Sequence, residues 1–371
     1  MKRICLTISF VFLVAALSGC GRNIPIEDLT ISLILGIDLD DENNLIFSES
    51  SPVFNKETQK NVETYQLKAK SIRDSRKYFD AFATGEVTAA KIQVLLIGKR
   101  VLEHENWFSI LDSVYRNPSF SMNTKVIMVD GPVSDIILYE PEDKPQLPLH
   151  LKEAIDKNIE RTRTVIATVQ MLHRQMYEKG MTPIISKIKK DKDIELVGVS
   201  LLDENGRYVD SLGIEDTSLL LILKDEQKKE LTLSIPIKAL KDEEGIFHKN
   251  ELSIDVSRVK PRVKIKYDQE KFHFQYKIQM TVSIVEQLFP INRVKEKELE
   301  KMIEQEVQSR FEGLIKKFQE NKIDPIGLGL YARAFQYEQY KKVEDHWGDA
   351  LAESNIGVSL SIDIKSLGAI R

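Results

Sequence analysis

Reactive side chains are unevenly supplied in this 371-residue chain, and their spacing decides what chemistry is open to them. The six histidines are His104, His150, His173, His248, His273 and His346, and none falls in H-E-x-x-H or another close metal spacing. His173, on an expected helix, and His273, on an expected strand, read as structural or exposed. There is no G-x-S-x-G elbow, no Walker loop and no G-x-G-x-x-G. Gly327-Leu328-Gly329 lacks the lysine and serine of a phosphate loop and reads as a helix-breaking turn. The acidic run 38–44 lacks the glycine and the distal glutamate of an EF-hand, so a solvated turn is the reading. Carboxylates are so frequent that two acids on one helix face say little about general acid–base work. No catalytic, cofactor-binding or metal-ligating residue is singled out.

Cys20 is different. Lys2 and Arg3 precede an uncharged apolar stretch, residues 4–17, and Leu17-Ser18-Gly19-Cys20 closes it with small residues. This resembles the lipobox of bacterial lipoproteins. It implies cleavage between Gly19 and Cys20, a diacylglycerol on the Cys20 sulfur and an acyl group on its new amino terminus. The apolar stretch is shorter than the ~20 residues of a spanning helix, and an ordinary secretory signal has no need of cysteine. Cys5 leaves with the leader, so the mature body holds neither a free thiol nor a disulfide. Its stability must come from buried cores. Loss of residues 1–19 removes Lys2 and Arg3 and no acid, taking the formal charge from −4 to −6. A mildly acidic body gives no reason to expect nucleic acid or strong attraction to anionic lipid.

The elements that must position anything further read as mixed α/β. Strands are expected at 31–37 and 45–50, then at 64–69, 91–98 and 124–129, with helices at 72–83 and 105–115 between them. A long helix over 149–178 follows, ended by Gly180 and Pro183. The charged run 187–193 reads as a hinge between an N-terminal domain, 20–186, and a C-terminal region, 194–371, itself divisible near 260. In that second region strand-like segments dominate: 194–202, 208–212, 218–223, 230–237, 251–257, 262–267 and 271–285. Phe272, Phe274, Tyr276, Ile278, Met280, Val282 and Ile284 alternate with mostly polar partners, which fits an antiparallel sheet with one wet face. A helix at 292–321 presents Leu299, Ile303, Val307, Phe311, Leu314, Ile315 and Phe318 to that sheet. A further helix over 330–346 and a strand at 356–364 complete the chain. Tyr331, Phe335, Tyr340, Val343 and Trp347 read as core at helical spacing. The fold class is therefore α+β with mixed sheets, in more than one domain.

In order, Leu33-Ile34-Leu35-Gly36-Ile37-Asp38, Lys91 through Gly98, Tyr115-Arg116-Asn117-Pro118, the blocks 126–131 and 135–138, the block 196–202, Gly206-Arg207 through Leu212, Asp324-Pro325-Ile326-Gly327-Leu328-Gly329, Trp347, the strand 358–364 and Gly368 resemble the C subunit of spore germinant receptors, the Ger(x)C family. The resemblance implies a non-enzymatic lipoprotein at the spore inner membrane of an endospore-forming bacterium, assembled with integral membrane subunits and held to membrane lipid through Cys20. Two other classes remain open from the residues alone. One is a solute-binding lipoprotein of an importer, which direct germinant binding by the soluble body would favour. The other is an anchored hydrolase, which turnover lost on chelation or on one point change would favour.

Overall fold

The computed structural model describes residue 25 and residues 29–53, 62–83, 85–140, 145–229, 231–237, 250–289 and 296–366; Gly19, Cys20 and Gly368 lie outside them. Fourteen strands are described: β1 Leu29–Ile31, β2 Ile34–Leu39, β3 Leu45–Pro52, β4 Val62–Lys68, β5 Glu86–Thr88, β6 Val94–Gly98, β7 Lys125–Val129, β8 Ile184–Lys190, β9 Ile194–Leu202, β10 Tyr208–Leu212, β11 Leu231–Pro236, β12 Glu251–Asp268, β13 Lys271–Gln287 and β14 Asn355–Ser366. The helices are α1 Ile72–Phe82, α2 Lys99–Leu102, α3 Asp112–Tyr115, α4 Val133–Ile137, α5 Leu147–Glu160, α6 Val169–Met176, α7 Ile214–Leu223, α8 Glu296–Glu320, α9 Leu328–Phe335, α10 Tyr337–Tyr340 and α11 Trp347–Glu353.

An eight-stranded sheet in the order β10-β9-β8-β7-β6-β2-β3-β4 forms the first half, a four-stranded sheet, β11-β12-β13-β14, the second, and β1 and β5 make a separate parallel pair. In the first, β2, β6, β7 and β8 are parallel and the flanking hairpins antiparallel. Parallel strands buried on both faces need apolar residues at every position, which explains the unbroken run Val94–Ile97. Val94 and Leu96 face α4 and α5 in one core, while Leu95 and Ile97 join the other.

The segment 187–193 lies within the first sheet. Residues 187–190 are the end of β8, Lys187 bonds Asp130 at 3.0 Å, and a short turn leads into β9, so the sheet crosses the expected boundary. Its charge is the wet fringe of a strand. The two sheets are joined further on by α7, expected as a strand. Gly213 caps it, Glu215 and Asp216 sit in its first turn where the helix dipole favours acid, and Thr217 through Leu223 are all buried. A helix apolar all round and a buried strand look alike in a short run. Its leucines belong to an apolar core that runs without interruption from the first sheet into the second.

The long helix expected over 149–178 is two. Five of the seven residues 162–168 are β-branched, and such side chains crowd a helix while suiting extended chain. Thr162 takes a left-handed φ of 59°. The following extended piece bonds β7 through Val126 N–H to Ala167 O at 2.9 Å, and Thr168 caps α6. The strands expected at 251–257 and 262–267 are instead one, β12, continuous through a bulge at Val256–Arg258 and through Pro261. The helix expected over 330–346 is broken at Gln336, φ −139° and ψ 48°, into α9, α10 and a 3-10 turn before α11. The stripe from Leu299 to Phe318 on α8 is buried as its spacing demands, and α8 packs against β11 and β14.

Candidate functional site

Two buried aspartates organise the places where a site would be expected. In open α/β sheets ligands bind beyond the carboxyl ends of parallel strands. Here that position at the end of β2 is filled by Asp38. Its carboxylate accepts Val133 N–H at 2.7 Å, opening α4, and Leu39 N–H at 2.9 Å. Gly98, at the end of β6, leaves the room; a side chain there would collide with the Asp38 carboxylate. Burial pushes Asp38 above the usual carboxylate range, opposed by those two N–H donors.

Asp324 does the same in the second half with more partners. It follows α8 and is fully buried. One oxygen accepts Gly327 N–H at 2.7 Å and Leu328 N–H at 3.0 Å; the other accepts Gly329 N–H at 2.8 Å and the Trp347 indole N–H at 2.7 Å. Gly327 makes the turn by adopting a left-handed φ of 77°. Burial raises Asp324, and the four donors pull it back down. The D-P-I-G-L-G motif is thus a carboxylate-centred knot that starts α9. Trp347 holds it edge-on to Phe272 and Phe274 of β13, at centroid distances of 5.3 and 6.5 Å.

The knot also clasps the first half. Thr182 N–H donates to Asp324 O at 2.9 Å, and a side chain on Gly329 would lie 2.6 Å from Gly180 Cα. Around this backbone contact Arg333 forks onto Glu178 at 2.7 and 3.0 Å. Lys179 spans Glu344 at 3.0 Å and Asp345 at 2.6 Å, and both hydrogen bonds raise its pKa. Beside the clasp opens a cleft of about 310 Å³, lined by Arg174, Gln175, Met181, Lys224, Glu226 and Tyr331 among others. Lys224 is spoken for, by Glu226 at 3.3 Å and Pro325 O at 3.4 Å.

The remaining residues weighed from sequence separate clearly. His173 is exposed among aromatics, 4.5 Å from Tyr115 and 4.7 Å from Tyr177. His273 accepts from Asn355 at Nδ1, which leaves Nε2–H to donate to Asp268 O at 3.1 Å. Among the described residues no three of His, Cys, Asp or Glu gather as a metal site. The acidic turn closes on itself: Asp40 accepts Glu42 N–H, Asn44 N–H and the Asn44 amide, and the Lys68 ammonium holds its carboxyl below the usual range. Tyr340 and Trp347 are core as expected, whereas Tyr331 and Phe335 stack on each other at the surface. The acceptor role of Asp324 was missed in the sequence. Its signal is an aspartate three and five residues ahead of two glycines, a spacing that lets one carboxylate collect successive backbone N–H groups. No described helix is long and apolar enough to cross a membrane.

An α+β body of two sheets clasped through a buried aspartate defines the class. Two family models match in succession, the spore germination protein N-terminal domain over residues 22–190 and the spore germination B3/GerAC-like C-terminal domain over 197–368, and their junction falls between β8 and β9 within the eight-stranded sheet. The chain belongs to the Ger(x)C family of spore germination receptor C subunits. It is 19% identical to spore germination protein GerQC of Bacillus cereus over 333 residues, covering 88% of this chain and 89% of that protein. The fold is that of the GerBC crystal structure, with a TM-score of 0.58 at 16% identity, over 89% of this chain and 96% of the other.

Proposed function

We propose that the chain is the lipid-anchored, non-enzymatic subunit of a nutrient germinant receptor, docked on integral membrane subunits at the inner membrane of the spore. The observation that carries this is an adjacency: the family match begins at residue 22, two residues after the cysteine that closes Leu17-Ser18-Gly19-Cys20. At ~0.8 kcal/mol per buried methylene one acyl chain holds a protein only marginally, and two or more hold it stably. Anchoring confines the body to the surface where its partners sit, so individually weak contacts suffice for assembly. A scaffold role is supported by what fills the strand ends: the crevice position carries Asp38, already committed to Val133 and Leu39.

The test is Cys20→Ala in spores. The body should fold and accumulate normally, leave the membrane fraction, and slow germination. Full germination with wild-type receptor levels in the membrane would contradict the proposal.

A further inference from the structure

Although the chain is acidic overall, one surface gathers cations. Beyond the bulge at Val256–Arg258, β12 carries Arg258, Lys260, Arg262, Lys264 and Lys266 at every second position, all exposed. Their alternates Val259, Val263 and Ile265 pack against the apolar core. Alternation in a strand puts the five on one face, where Lys277 stands opposite Arg262 across the ladder. Among described residues only Lys266 of these six has a carboxylate partner, Asp268 at 3.7 Å. Acid on the same face lies toward the other end of the sheet at Glu251, Asp255 and Glu286, while Asp268 closes the basic row beside Lys266 and Asp363 of β14 is level with Arg258 across Thr281. A hollow of about 760 Å³ opens at the basic end, lined by Lys264, Lys266, His273, Gln275, Asn355 and Gly357 among others. The core, with α8, covers the opposite face of the sheet.

We propose that this basic end of the open sheet face lies on the anionic phospholipid surface of the bilayer, with headgroup phosphates against the lysine row. The inference rests on the reading that the body works at a membrane. The first cation and the last are eight residue steps apart, about 27 Å of extended strand. A row of that length on one face presents successive cations to a charged plane. It has no apolar centre of the kind a protein partner would seat. Each such residue near an anionic leaflet is worth about fivefold in partition. The row also sets how the body stands above its anchor.

The chain from residue 21 onward contains every described element and lacks the anchor. It should sediment with phosphatidylcholine vesicles containing phosphatidylglycerol, not with phosphatidylcholine alone, and less as salt rises. The quadruple variant Lys260→Gln, Arg262→Gln, Lys264→Gln, Lys266→Gln should bind at least about a hundredfold more weakly, with unchanged circular dichroism and monomeric size. A control carrying Lys70→Gln, Lys192→Gln, Lys228→Gln and Lys301→Gln, all exposed elsewhere, should bind like the parent. Absence of vesicle binding overturns the proposal, as does equal loss in the control. A row variant that self-associates yet binds vesicles like the parent also overturns it, since the lysines would then only guard the free edge of β12. So does one that keeps vesicle binding but no longer co-purifies with receptor subunits, which would assign the face to an acidic protein. Because Cys20 is absent throughout, these outcomes are separate from those of the anchor test.

Discussion

The two sheets answer to different solvents. The eight-stranded sheet has apolar cores against both faces, and its central parallel strands are apolar at nearly every position. The four-stranded sheet buries one face under α8 and leaves the other wet, so β13 reads buried–exposed along almost its whole length. Polar groups follow suit. In the first sheet Glu49 is a carboxylate inside the core, and Asp38 is spent on backbone N–H groups. In the second, charge is free to face outward in a row. The difference is that the first sheet is covered on both faces, whereas the second offers a wet face. The clasp at Asp324 makes them one body, and each part of the contrast is open to measurement.

The largest expected effect is at the clasp. Asp324→Ala leaves four buried N–H donors without their acceptor, and each such loss costs ~1–3 kcal/mol. Urea denaturation should show a loss of at least about 4 kcal/mol, or no folded protein at all. A loss below about 1 kcal/mol would mean that the knot is decoration. Gly329→Ala forces a methyl onto Gly180 Cα, and overpacking of this kind costs ~1–3 kcal/mol. Its signature should be a lower urea midpoint in a single transition, since the apolar core continues from one sheet into the other.

Glu49 sharpens the contrast from the other side. Burial pushes it up to about 7, against the lowering pull of Ser32 and Arg76. A carboxyl whose folded pKa lies above its unfolded value binds more protons folded, so stability falls as pH rises from about 4.5 to about 7 and is flat beyond. Glu49→Gln removes that penalty. Thermal melts should show the variant more stable at pH 8, by up to about 3 kcal/mol, and indistinguishable from the parent near pH 4. An unchanged pH profile would mean that water reaches the carboxylate. Smaller still, Arg333→Ala breaks the exposed fork to Glu178 and should cost about 1 kcal/mol or less. The glutamine substitutions in the lysine row should leave stability within about 0.5 kcal/mol.

Legibility in the sequence followed the same divide. The wet-faced sheet announced itself, because the alternation Phe272 to Ile284 and the α8 stripe carry a period. Buried elements carry none: α7 and the central strands of the first sheet are equally apolar runs, so the residues of α7 fit a strand as well as a helix. The break at Thr162 lay in β-branched composition rather than in spacing, which continued across it. Lysines 187, 189 and 190 looked like linker because a strand's fringe and a solvated hinge share the same letters. The lysine row was visible as alternation with Val263 and Ile265. Its concentration against an acidic whole appeared only once the strands lay side by side. Asp324 was legible as part of a motif and illegible as an acceptor, since its donors are backbone groups.

The central claim is that a clasped two-sheet body is held to membrane lipid by its first mature residue. The most direct test is the mass of the amino-terminal peptide of the protein extracted from spore membranes. The account predicts a peptide that starts at Cys20 and carries a diacylglycerol on sulfur and an acyl group on nitrogen. A peptide that retains residues 1–19, or starts at an unmodified Cys20, would contradict it.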